Sequence, residues 1–90
     1  MMKNLLPLDS FVFESRSEGW RREGGVLVNE IQFGSFSEAV NFVNQIAEVA
    51  EEMNHHPKII LDYDKVRVET FTHDEGKITD KDLELARRIC

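Results

Sequence analysis

Cysteine is almost missing from this chain, with Cys90 at the last position its only instance. An intrachain disulfide and a cysteine-based zinc site are therefore both excluded, and a lone thiol suits a cytoplasmic protein. Positive charge is scarce as well. Eleven Lys and Arg stand against seventeen Asp and Glu, a net charge of −6, which argues against the basic face that nucleic-acid binders use to neutralise phosphates. No apolar run approaches the roughly 18 residues that a membrane span requires. The opening stretch holds Lys3 and the leucines Leu5, Leu6 and Leu8, but Pro7 and Asp9 cut it short of a secretory signal. The only other proline is Pro57, and no Gly-, Pro- or Ser-rich linker, repeat or low-complexity segment breaks the chain. Residues 1–90 thus read as one domain. A domain of that size buries only roughly 60% of its unfolded surface, so self-association would add usefully to its core.

What is present is an ordinary soluble composition, 41% hydrophobic and 31% charged. Over 1–18, Leu5, Leu8 and Val12 suit a helix whereas Ser10 to Ser15 alternate like a strand, and neither pattern prevails. From there the pattern is clearer. Trp20 to Glu23 and Val26 to Phe33 flank Gly24-Gly25 as a hairpin. Leu27, Asn29, Ile31 and Phe33 share the side expected to face the core, leaving Val28, Glu30 and Gln32 opposite. Ser35 with Glu38 makes a capping box for a long helix, whose apolar positions Ala39, Phe42, Val43, Ile46, Ala47, Ala50 and Met53 recur at helical spacing. That arc is wider than one sheet face needs, which points to contact with another subunit. Asn54 and Pro57 end the helix. Lys58 to Tyr63 and Lys65 to His73 read as a second hairpin, with Val66, Val68, Thr70 and Thr72 on one side and Arg67, Glu69, Phe71 and His73 on the other. A last helix runs from Thr79, its N-cap, to Ile89, with Ile78 and Leu83 as a staple and Leu83, Ala86 and Ile89 as its apolar stripe.

The chemistry concentrates where the long helix stops. Glu51-Glu-Met-Asn-His55-His56-Pro57 sets two of the three histidines side by side, and the third, His73, ends a strand that can carry it back beside them. Imidazole titrates near pH 6.5, so one ring donates while another accepts a proton at neutral pH. Glu51 and His55, four residues apart on a helix, can pair, although such pairs are common on solvated faces. Adjacent histidines are also metal ligands, and with His73 and Glu51 they would make a three-histidine, one-carboxylate set. Neighbouring residues rarely aim at one ion without a sharp bend, and the reading takes no metal. Asp82, at N3 behind Thr79, has a capping role available to it.

The order Glu51, His55-His56-Pro57, Tyr63, His73, Asp82 resembles the signature of the pterin-4a-carbinolamine dehydratases. The resemblance runs from about Trp20 to Ile89 and includes Phe33, Phe36, the Tyr63-Asp-Lys-Val hairpin and the run from Asp82 to Ala86. Ile31 departs from the phenylalanine frequent there, and the segment before Trp20 lacks the family's amphipathic helix; neither touches the site. The resemblance implies an α+β fold, a four-stranded antiparallel sheet with helices on one face in the order strand-strand-helix-strand-strand-helix, assembled as a homodimer or homotetramer. It implies dehydration of a 4a-hydroxytetrahydropterin to the quinonoid dihydropterin, in recycling of a tetrahydrobiopterin-type cofactor, with no cofactor or metal of the enzyme's own. His55 and His56 would be acid and base, His73 a polar wall, and Glu51 and Asp82 orienting carboxylates. His55, His56, Pro57, Thr72, His73, Asp74 and Glu75 would line the pterin. Family members in animals also serve as dimerisation partners of a transcription factor, so a non-enzymatic binding role is the alternative.

Overall fold

Gly24, in the left-handed region at φ +63°, turns the chain sharply enough for Glu23 to pair directly with Val26. This joins β1 (Arg21–Glu23) to β2 (Val26–Gln32). The computed structural model describes residues 19–89; the expectations for 1–18 and for Cys90 lie outside the described residues. Helix α1 (Phe36–Met53) follows, then β3 (Lys58–Asp62), β4 (Lys65–Thr70) and α2 (Asp80–Ile89). The strands form one antiparallel sheet in the order β1-β2-β4-β3. This is the α+β arrangement that the sequence predicts.

Strand register explains the layers. On the inner face Asn29, Val68 and Ile59 lie across one row and Ile31, Val66 and Leu61 across the next. Val66 and Val68 are fully buried against Ala39 and Ile46 of α1, with Trp20, Phe33, Phe42, Val43, Ile59 and Ile89 packed around them. The outer face carries charge: Arg67 bonds Glu23, Glu30 and Glu69 through three different nitrogens. Val28, which alternation puts on that face between Arg21 and Glu69, is nonetheless buried.

Both helix starts follow the caps. The Ser35 hydroxyl accepts from the Glu38 N–H at 3.1 Å, and the Glu38 carboxylate reaches back to the Gly34 N–H at 3.0 Å. Two apolar stripes need correction. In α1 Ala47 is exposed, so the buried line runs through Ala39, Ile46 and Ala50. In α2 Leu83 is 38% exposed, whereas Asp82, Leu85 and Ala86 are buried. The cause is Asp82, whose hydrogen bonds draw it inward; positions three and four residues beyond it then face the core.

Candidate active site

The end of α1 decides where the histidines point. Asn54 adopts the left-handed conformation at φ 53°, its N–H bonds to the Glu51 carbonyl, and the His55 N–H bonds back to the Ala50 carbonyl at 3.0 Å. This is a Schellman closure with asparagine in the place glycine usually takes. Beyond it the chain is no longer helical, so consecutive side chains go to different sides. The Glu51–His55 pairing expected from helical spacing is therefore not formed. His56 turns back to Glu51 instead, with Nε2 2.8 Å from Oε2, in an exposed pair. His55 goes inward to Asp82, with Nε2 2.7 Å from Oδ1 and its side chain 11% exposed. That divergence also separates the two imidazoles of the metal set considered above; among the described residues no group of three or more His, Cys, Asp or Glu is placed to hold an ion.

Asp82 is completely buried and fully engaged. Its Oδ1 accepts from His55 and from the Thr70 hydroxyl at 2.5 Å, and its Oδ2 accepts from the Thr72 hydroxyl and the Thr79 N–H, each at 2.9 Å. The Thr79 N–H bond is the capping-box role that spacing allowed, and the His55 bond is the contact that an orienting carboxylate would make. Burial alone would push this carboxyl up. The hydrogen bonds from His55, Thr70, the Thr79 amide and Thr72 outweigh it, and the net result lies below the usual aspartate value. An ionised carboxylate only accepts, so the His55 Nε2 carries the hydrogen of their bond. In the neutral ring Nδ1 is then the nitrogen without a hydrogen.

His73 sits on the other side of the sheet. β4 ends at Thr70, earlier than the expected Lys65 to His73, and a tight loop closed by the Thr72–Lys77 bridge follows. Gly76, at φ +68°, permits that loop, its N–H bonding to the Thr72 carbonyl at 2.7 Å. Thr72 thereby stays buried while His73 is exposed. The His73 ring lies 4.5 Å from that of Phe71, centroid to centroid. His56, Lys58, Glu69, Phe71 and His73 together line a hollow of about 80 Å³. Thr72, Asp74 and Glu75 line a second one of about 250 Å³ with Thr79, Asp80 and Lys81. Pro57 is half-buried between His56 and β3.

The structure thus brings His56, Glu51 and His73 to one region and His55 and Asp82 to another, joined through the His55-His56 peptide. Thr70, Thr79, Phe71, Lys58 and Glu69 join these regions without any sequence motif that marks them as site residues. Thr70 and Thr72 were legible in one respect: they continue the inward stripe of Val66 and Val68, and buried hydroxyls in such a stripe need a partner.

The family model described as pterin 4 alpha carbinolamine dehydratase matches residues 8–90. The chain belongs to this family. Among relatives assigned as pterin-4-alpha-carbinolamine dehydratases, a protein of Sulfurisphaera tokodaii is 45% identical over 75 residues, covering 83% of this chain and 81% of its own. One of Opitutus terrae is 49% identical over 73 residues, covering 80% and 75%. A crystal structure of a transcriptional coactivator/pterin dehydratase from Brucella melitensis superposes with a TM-score of 0.77 at 32% identity, covering 80% of this chain and 79% of that one. Membership makes the chain a dehydratase, a hydro-lyase directed at a pterin carbinolamine. No described helix is long and apolar enough to cross a membrane.

Proposed function

We propose that the chain dehydrates a 4a-hydroxytetrahydropterin to the quinonoid dihydropterin by histidine acid–base catalysis, in recycling of a tetrahydrobiopterin-type cofactor. The observation that carries this reading is the pair of histidine–carboxylate contacts made by consecutive residues, His55 with Asp82 and His56 with Glu51. Hydroxide is a poor leaving group until protonated. An acid gives its proton to the C4a hydroxyl, the C4a–O bond breaks, and water departs. The lone pair of the adjacent ring nitrogen forms the new double bond, and a base takes a ring N–H proton. Atoms balance as loss of one water, with no net oxidation, so the step asks only for placed proton carriers, typically worth about 10²–10⁴-fold.

His55 and His56 serve as the acid and base. His55, with Nε2–H committed to Asp82, exchanges protons through Nδ1; His73 forms a polar wall beside Phe71. His55 to Pro57 and Thr72 to Glu75 border the pterin. The same reading includes a homodimer or homotetramer in the cytoplasm, supported by exposed Phe36, Ile60, Leu61 and Tyr63 and by a lone cysteine; light scattering and cell fractionation test these. Stopped-flow dehydration of 4a-hydroxytetrahydropterin tests the activity itself. A second reading, a non-enzymatic binding partner of another protein, is favoured by the coactivator named with the Brucella melitensis structure. A partner pull-down that persists with a His55→Ala chain would support it, and a chain that captures nothing would remove it.

A further inference from the structure

Three of the four donors to Asp82 have another reason to be there. The Thr79 N–H belongs to the cap of α2, the Thr72 hydroxyl is 2.6 Å from that of Thr79, and His55 is the group being held. Thr70 is different. It is 1% exposed, it occupies an inward position of β4 where Val66 and Val68 precede it, and valine would fill almost the same space. A hydroxyl buried there costs free energy unless bonded, and this one goes to Asp82 Oδ1 at 2.5 Å, the same oxygen that takes the His55 Nε2–H.

We propose that Thr70 is a positioning residue of the dehydration site, acting through Asp82 Oδ1 to hold His55 in its Nε2–H tautomer with Nδ1 turned to proton exchange. This rests on the acid–base reading of His55. Two donors on each oxygen fix the plane of the carboxylate, whose terminal torsion is otherwise broad. Removing the Thr70 hydroxyl leaves Oδ1 with His55 as its single donor while the Thr72 hydroxyl and the Thr79 N–H still hold Oδ2, so the carboxylate tilts more easily away from the line of the His55 N–H. The depressed ionisation of Asp82 agrees with the arrangement, because a neutral carboxyl could donate and would permit the opposite tautomer.

Nitrogen-15 NMR of the histidine-labelled full chain, at a pH where the imidazoles are neutral, reads the tautomer directly, alongside steady-state dehydration. Wild type and Thr70→Ser should show His55 as Nε2–H. In Thr70→Val the Nδ1–H form should appear, the Nε2–H should exchange about tenfold faster, and kcat should fall about tenfold with KM changed less than about twofold, the size expected for one lost hydrogen bond. Rescue by serine separates the hydroxyl from packing, and Thr70→Ala replaces the valine variant if that fails to fold. An Nδ1–H ring in wild type, or ring signals unchanged in both hydroxyl-free variants, overturns the proposal. A changed ring with an unchanged rate upholds Thr70 as the anchor of His55 and overturns instead the acid–base role of His55.

Discussion

At the scale of single residues, Asp82 is the one buried carboxylate among the described residues, and its four donors make it the anchor of both β4 and the start of α2. Asp82→Asn would replace one acceptor oxygen with a donating N–H₂, so that a threonine hydroxyl or the His55 ring must turn to accept from it, and the charge-assisted bonds would be lost. A urea melt should show a loss of about 3 kcal/mol, the upper end of a charged hydrogen bond. The pH dependence has a definite sign. Because the folded carboxyl is depressed, its contribution is complete above the ordinary aspartate value near ~3.9 and is lost as pH falls through the lower folded value. Acid melts should therefore show wild type losing stability in that window, with this component absent from Asp82→Asn; parallel curves would contradict the assignment. The histidines differ in the same way. His56 is exposed, and His56→Ala should change stability by less than about 0.5 kcal/mol. His55 is not a surface position, and His55→Ala should cost about 1–2 kcal/mol by removing one donor from Oδ1.

At the scale of elements, the left-handed Asn54 is what sends His55 and His56 to different partners. Asn54→Gly should keep fold and activity, since glycine adopts that conformation freely. Asn54→Val should cost about 1–2 kcal/mol and reduce the dehydration rate with it, because a branched side chain resists positive φ. Equal rates and equal melts for the two variants would show that the closure does not position the histidines. Asn54 also marks where reading from sequence succeeded and where it stopped. The helix end, its serine cap, both hairpins and the inward stripe from Val66 to Thr72 follow from local patterns of period 3.6 or 2, and the structure keeps them. The partner of His55 does not follow locally. Helical spacing favours Glu51, and only the left-handed turn together with a carboxylate distant in sequence redirects the ring to Asp82. Leu85 is illegible in the sequence for a related reason: a buried aspartate sets the inward face of α2, whereas the apolar spacing alone runs through Leu83.

At the scale of the molecule, helices cover one face of the sheet, and the edge strand β3 carries Ile60 and Leu61, 41% and 37% exposed, near the stacked rings of Phe36 and Tyr63. A chain with this much apolar surface outside its own core should associate. Light scattering at micromolar concentration should give a dimer or tetramer, and Leu61→Lys should shift it toward monomer; a monomeric wild type would contradict this. The central claim is that a histidine held by a buried carboxylate moves the protons of a pterin dehydration. The most direct measurement is single-turnover stopped-flow dehydration of 4a-hydroxytetrahydropterin by wild type and His55→Ala, each shown folded by a urea melt. The account predicts acceleration by wild type and a loss of about 10²-fold or more in the variant. A folded His55→Ala chain that dehydrates the pterin at the wild-type rate would contradict it.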